Sequence, residues 1–245
     1  MNPEQRHQIA LSLISGIGPI LSKQLINHFG STEEVFKAST GKVSKINGFG
    51  NKLSALLSNE ETLLKQADIV IEQSIKSGIS IHCYKDDSYP KRLLHAPDSP
   101  IILYSKGNVV LNPKKTIGVV GTRKATNYGL STTDAIVNEA KSNEPTIVSG
   151  LAYGIDVRAH EAALAEDLPT IAVLACGLDA VYPAGNRATA KKMLTNGGLV
   201  SEYPIGTKAD PRHFPARNRI IAGLSDALIV VEAAKKGGAL ITGNI

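Results

Sequence analysis

Segment 214–223 reads Phe-Pro-Ala-Arg-Asn-Arg-Ile-Ile-Ala-Gly and sets Arg217, Asn218 and Arg219 at the expected start of a helix. A helix N-terminus carries about half a positive charge, and a cation there is disfavoured by roughly 0.3–1 kcal/mol. Helical spacing puts Arg217 on the face of Ile220, Ile221 and Leu224, which packs inward, while Arg219 points elsewhere. The pattern predicts a negative partner at this helix start.

Glycine turns recur beside charged residues elsewhere in the chain. Gly121-Thr122-Arg123-Lys124, Ser149-Gly150 with Gly154 and Asp156, Cys176-Gly177, and Glu232 followed by Gly237-Gly238 each close an apolar run. Such turns can present backbone N–H groups to an anion, with Arg123 and Arg217 as charged partners. A βα turn needs glycine for its own geometry, so no single turn decides the matter. The four together, with the arginines, point to a phosphate. Phe214 either stacks a nucleobase or covers the Arg217 helix as a core ring.

Other chemistry is thinner. Asp156 and His160 stand four residues apart on one expected helix and can pair, although an aspartate at a helix start is ordinarily a cap or first-turn residue. Glu232 can act as a base or orient Arg217 or Arg219. Cys and His show no metal-ligand spacing. The first turn, Gly118-Val-Val-Gly-Thr-Arg, lacks G-x-G-x-x-G, and Ser149 stands where an acid would take ribose hydroxyls. A nicotinamide dinucleotide is therefore not expected, and neither a cofactor nor a metal is.

These residues need a scaffold that brings strand ends together. Apolar runs at 116–121, 146–150, 170–176, 198–202 and 227–232 alternate with helical patterns, which predicts a parallel sheet buried on both faces and a doubly wound α/β domain. In such folds ligands bind outside the carboxyl ends of the strands, where the unusual residues of this chain collect. A helical run at 60–77 leads to an alternating strand at 79–84 and a second strand ending at Gly107, an extension on the edge of the sheet.

Further upstream, Ile14-Ser-Gly16-Ile-Gly18-Pro and Ile46-Asn-Gly48-Phe-Gly50-Asn form an internal repeat offset by 32 residues. This is a tandem helix-hairpin-helix pattern, in which glycines let backbone approach a phosphate. A small helical bundle with tight turns has the same signature. Residues 1–62 are read as a helical helix-hairpin-helix or SAM-like domain and 63–245 as an extended Rossmann-like domain, apparently truncated at its C-terminus.

The 245-residue chain is 42% hydrophobic and carries a net charge of +5. From Arg187 to Arg219 seven basic residues face only Glu202 and Asp210, so much of the excess gathers around the 214–223 segment. Aromatic content is 4% with no Trp, so base stacking must rest on one or two rings. Cys83 and Cys176 lie in apolar runs and read as buried free thiols of a reducing compartment. Neither a membrane span nor a signal peptide is legible, and the cytoplasm is the expected location.

Gly121-Thr-Arg123, Ser149-Gly-Leu-Ala-Tyr-Gly-Ile-Asp156 with Ala159-His160, Ser201-Glu-Tyr-Pro204, Phe214-Pro-x-Arg-Asn-Arg and Val230-Val-Glu-Ala233 together resemble the DNA-processing protein A family, DprA, also called Smf. Tyr89-Pro-x-x-Leu93 and Pro100-x-x-Leu-Tyr-x-x-Gly107 match it too. The resemblance implies a non-enzymatic single-stranded DNA-binding protein of natural transformation that protects incoming strands and loads RecA. It also implies a homodimer and a DNA pocket formed by Arg123, Phe214, Arg217, Asn218 and Arg219. Arg212 stands near the place where some relatives carry a lysine.

Two other readings compete. Cytokinin-activating LOG-type proteins are Rossmann-like nucleoside-monophosphate hydrolases, but their Pro-Gly-Gly-x-Gly-Thr-x-x-Glu signature is not reproduced by segment 234–242, which lacks the downstream glutamate. The tandem hairpins could alternatively bind duplex DNA with the α/β domain as scaffold, in which case residues 1–60 alone would bind it.

Overall fold

The computed structural model describes residues 2–233. Six helices come first: α1 (Pro3–Ser12), α2 (Pro19–Phe29), α3 (Thr32–Lys37), α4 (Thr40–Val43), α5 (Asn51–Leu56) and α6 (Glu60–Lys76). Asn2 caps α1 in a reciprocal pair with Gln5, and Ser31 caps α3. The repeat read in the sequence is a reciprocal packing unit. A side chain on Gly16, at φ +91, would meet Leu53 Cδ2 at 3.2 Å, and one on Gly48, at φ +88, would meet Leu21 Cδ2 at 2.9 Å. Each hairpin thus seats the glycine turn of one copy on the leucine of the other, with the same 32-residue offset between the two contacts.

The remaining elements are β1 (Ile79–Cys83), β2 (Ile102–Gly107), β3 (Thr116–Gly121), α7 (Asn127–Ala140), β4 (Thr146–Ser149), α8 (Ile155–Ala165), β5 (Thr170–Leu174), α9 (Arg187–Met193), β6 (Gly197–Ser201), α10 (His213–Leu224) and β7 (Ala227–Val231). The strands form one mixed sheet in the order β1-β2-β6-β5-β4-β3-β7. Strands β3 to β7 run parallel, and β1 and β2 add the antiparallel edge extension expected from the sequence.

Alternation along the parallel strands sends side chains to two cores. Val120, Val148, Ile171 and Val173 meet Ile220, Ile221 and Leu224 of α10 on one face. Val119 and Ile147 meet Val137 of α7 and Ile155, Ala159 and Ala163 of α8 on the other. This is the doubly wound α/β arrangement. A third cluster runs continuously from Ile9, Leu11 and Leu25 through Ala67 to Ile79, Ile102 and Tyr104, so the helical region packs directly on the edge extension. Helix α6 spans the boundary expected at 62/63 and joins the two parts.

Both cysteines are free and buried, and burial pushes the Cys83 thiol up to about 12. Among the described residues no helix is long and apolar enough to cross a membrane.

Candidate nucleic-acid interface

Chain order reverses beside β3. From β3 the sheet grows through β4, β5 and β6 in one direction, and β7 then returns to the opposite side of β3. The carboxyl ends of β3 and β7 therefore flank the topological switch point, the position where open α/β sheets bind ligands. Gly121, Thr122 and Arg123 leave β3 there, and Glu232 leaves β7.

Glu232 does not pair with Arg217 or Arg219. Its carboxylate crosses the switch point, accepts the Thr126 backbone N–H at 2.9 Å and the Thr126 hydroxyl, and lies against Gly129 in the first turn of α7. These hydrogen bonds hold its carboxyl below the ordinary range. The N-terminus of the first crossover helix, where a dinucleotide fold seats its pyrophosphate, is thus filled by the protein's own carboxylate.

The glycines of the rim are demanded by close packing of turn on turn. A Cβ on Gly121 would lie 2.1 Å from the Val231 carbonyl oxygen and 2.5 Å from Ile155, and one on Gly154, at φ +80, 2.2 Å from the Thr122 carbonyl oxygen. At Gly150 it would meet Arg217 Nη2 and Asp156 Oδ2, each at 2.5 Å, and at Gly177 the Asp179 carboxylate at 2.6 Å. Ser149 is fully buried and its hydroxyl donates to the Val119 carbonyl at 2.5 Å, closing β4 on β3. Gly237 and Gly238 lie outside the described residues.

Helix α10 starts at His213, one turn earlier than the arginines, with Pro215 in its first turn where a missing N–H is tolerated. Arg217 therefore stands in the second turn, and the negative partner expected from the sequence is internal. Arg217 is 4% exposed, and its guanidinium donates through Nη1 to the carbonyls of Gly150, at 2.7 Å, and Val173. Asp156, in the first turn of α8, is the nearby counter-charge, and its carboxylate also lies against the Gly121 and Ala152 N–H groups. Burial pushes the Asp156 carboxyl up and the Arg217 guanidinium down, and each opposes the other's shift. Arg217 thus ties α10 to the ends of β4 and β5.

His160 makes no pair with Asp156. Its Nδ1 meets the Thr170 hydroxyl at 2.7 Å, and burial pushes its pKa down to about 3, so the ring is neutral.

Arg219 leaves the opposite side of α10 and forms a two-pronged pair with Glu202, at 2.6 and 3.0 Å, with Asp98 at 3.6 Å. Burial pushes the Glu202 carboxyl up to about 7 and Asp98 reinforces the shift, while Arg219 opposes it. Lys23 of α2 reaches into the same neighbourhood, where its ammonium donates to the Ala96 carbonyl at 2.8 Å and the Ser99 hydroxyl at 2.5 Å. Asn218 accepts Arg217 Nε at 3.3 Å, and Arg212, 87% exposed, pairs with Asp210 at 2.9 Å.

Phe214 and Arg123 come together. The Arg123 guanidinium lies 5.3 Å from the centroid of the half-buried Phe214 ring, a cation–π contact, and Arg123 is exposed and forms no salt bridge among the described residues, although its charge is felt by the buried Asp156 carboxylate. On its other flank Phe214 meets Tyr182 at 5.4 Å between centroids. Sequence reasoning allotted base contact to Phe214 alone and missed Tyr182, whose neighbour in space lies 32 residues away.

Fold and rim define a Rossmann-like α/β protein whose strand-end rim carries an exposed cation and aromatic rings. Comparison with known proteins gives the family. The model of the family described as DNA recombination-mediator protein A matches residues 80–245. Protein Smf of Synechocystis sp. is 39% identical over 98% of this chain and 61% of its own length. DNA processing protein DprA of Bacillus subtilis is 34% identical over 94% of this chain and 77% of its own. The chain thus spans about three fifths of the Synechocystis relative. The X-ray structure of DNA processing protein A from Streptococcus pneumoniae superposes with a TM-score of 0.79 at 29% identity, covering 100% of this chain and 82% of that one. The Helicobacter pylori protein, whose structure addresses its single-stranded DNA binding mode, gives a TM-score of 0.62 at 32% identity over 68% and 74% of the two chains. The chain belongs to the DNA recombination-mediator protein A family.

Proposed function

We propose that this protein binds single-stranded DNA at the carboxyl-end rim of its sheet, protects incoming strands in natural transformation and passes them to RecA. On this reading it acts in the cytoplasm, as a homodimer and without catalysis, and its two parts are the helical domain at 1–62 and the α/β domain at 63–245. The observation that carries the reading is the exposed Arg123 guanidinium stacked on Phe214 at the switch point. A cation beside a ring can take a phosphate and its base together, with little preference for sequence.

Within this site Arg123 holds phosphate and Phe214 supports a base. Arg212 reaches a phosphate by exchanging Asp210 for it, and Asn218 adds a polar contact. Arg217 works from beneath by fixing α10 to the ends of β4 and β5, while Arg219 does the same through Glu202. Gly121, Thr122, Ser149, Gly150, Gly154 and Gly177 shape the rim. Family membership supports the link to recombination, and the single-stranded DNA binding mode of the Helicobacter pylori relative supports single-strand binding here. A hydrolase of nucleoside monophosphates is disfavoured, because Glu232 places a negative charge at the α7 N-terminus.

The test is titration of labelled single- and double-stranded DNA at two salt concentrations, with a nucleoside-monophosphate hydrolysis control. Single strands should bind more tightly, with a log–log salt slope of about −0.7 per phosphate neutralised. Arg123→Ala should weaken single-strand binding by about 1–3 kcal/mol and flatten that slope by about one contact, with the fold unchanged. Preference for duplex, turnover of the nucleotide, or full affinity in Arg123→Ala would overturn the assignment.

A further inference from the structure

The tyrosines of this chain divide by location. Tyr89 and Tyr104 are buried, Tyr84 and Tyr203 are half-buried, and the exposed ones all stand on the rim: Tyr128 past the end of β3, Tyr153 past β4 and Tyr182 past β5. Tyr182 is 52% exposed and Tyr153 53%. Rings left in water beside a binding surface lose the gain of burial that the same rings have in the core.

Two of the three are joined to the Phe214 site by built contacts. The Tyr182 ring lies 5.4 Å from Phe214, tilted by 55° rather than stacked on it, and about half of Tyr182 remains open to solvent. Past Tyr182 the same loop reaches Gly185, where a Cβ would stand 3.1 Å from the Tyr153 hydroxyl. The adjacent Asn186 is buried and its side-chain amide donates to the Leu151 carbonyl at 2.9 Å, which pins the loop after β5 to the loop after β4. Arg187 follows, exposed and without an ion pair among the described residues. Arg123, Phe214 and Tyr182 are thus in successive contact, Tyr153 lies against the loop that carries Tyr182, and Arg187 follows that loop in the chain.

We propose that Tyr182 and Tyr153 extend the Phe214 surface into a stacking track for two further nucleobases of one bound single strand. The proposal rests on the reading that this rim takes single-stranded DNA. Aromatic faces accept any base, whereas Arg123 and Arg187 take phosphates.

The full chain would be titrated with labelled oligothymidylate and with an abasic strand of the same length and charge. Tyr182→Ala and Tyr153→Ala should each weaken oligothymidylate binding by about 5- to 100-fold and leave abasic binding unchanged. Tyr182→Phe and Tyr153→Phe, which keep the ring, should bind as the unmodified protein does. Tyr128→Ala, on the same rim without these contacts, should also retain affinity. Because the chain has no Trp, quenching of tyrosine emission on binding reports stacking directly, and each alanine variant should lose part of it. Unchanged oligothymidylate affinity in both alanine variants, equal loss on both strands, or an equal loss in Tyr128→Ala would overturn the track while leaving the single-strand reading standing. Failure of the unmodified protein to bind either strand would overturn both.

Discussion

The strand-end rim and the tandem hairpins both place glycines in their turns, yet the glycines answer to different constraints. On the rim, added side chains at Gly121, Gly150, Gly154 and Gly177 would collide with backbone or charged groups at 2.1–2.6 Å. In the hairpins, Gly16 and Gly48 are set by positive φ and by reciprocal contact with leucines. Gly18 and Gly50, the residues that begin α2 and α5, have ordinary φ values of −79° and −94° and nothing within 4 Å of an added Cβ. Glycine on the rim thus marks turns pressed together, and binding there falls to projecting side chains. Glycine in the hairpins marks the hand of a turn.

That contrast makes Arg217 the most sensitive position of the rim. Arg217→Ala would leave the Asp156 carboxylate and two strand-end carbonyls buried without their donor, and should destabilise the fold by about 3–5 kcal/mol in denaturant unfolding. The cost should grow with pH. Without Arg217, the folded pKa of Asp156 rises further above its unfolded value near 3.8, so the variant holds its stability below that pH and loses it as pH rises. A deficit that shrinks between pH 4 and pH 7 would show that Asp156 is not its counter-charge. Arg123→Ala offers the reverse profile, with a change in stability within about 0.5 kcal/mol and the whole effect on DNA.

Gly150→Ala comes next. Its Cβ would be pressed between the Arg217 guanidinium and the Asp156 carboxylate, neither of which has room to retreat, and a loss of about 2–3 kcal/mol is expected by thermal unfolding. A neutral result would mean that the turn after β4 is looser than its contacts imply.

The sheet was legible in the sequence because parallel strands buried on both faces are near-continuous apolar runs, and the expected strand ends fall within two residues of those found. The antiparallel edge strands were legible from alternation and a closing Gly107. The site was harder, for a physical reason. Spacing along α10 correctly turned Arg217 inward, but it gave no means of knowing that carbonyls of β4 and β5 and Asp156 already receive its charge. Glu232 was legible as a strand-end acid, and its target, the cap of a helix 106 residues earlier, was not. Tyr182 became visible only once α10 brought Phe214 beside it. Strand register follows local pattern, whereas charge pairing across loops depends on the finished fold.

The smallest effect tests the hairpins. Gly48→Ala must adopt φ +88 with a side chain and push on Leu21, and should lose about 1–2 kcal/mol. Gly50→Ala, two residues on, meets neither obstacle. Alanine is a poorer helix cap than glycine, but it also restricts the unfolded chain, and the two effects offset to leave a change within about 0.5 kcal/mol. Unfolding of the two variants side by side separates the hand of the turn from the space around it. If Gly50→Ala falls as far as Gly48→Ala, the second glycine is constrained by more than φ and packing, and the hairpin turns stand closer to the rim turns than their contacts suggest. If both are neutral, the reciprocal seating of Gly16 on Leu53 and Gly48 on Leu21 does not hold the helical region together, and its stability rests on the shared core that continues into β1 and β2.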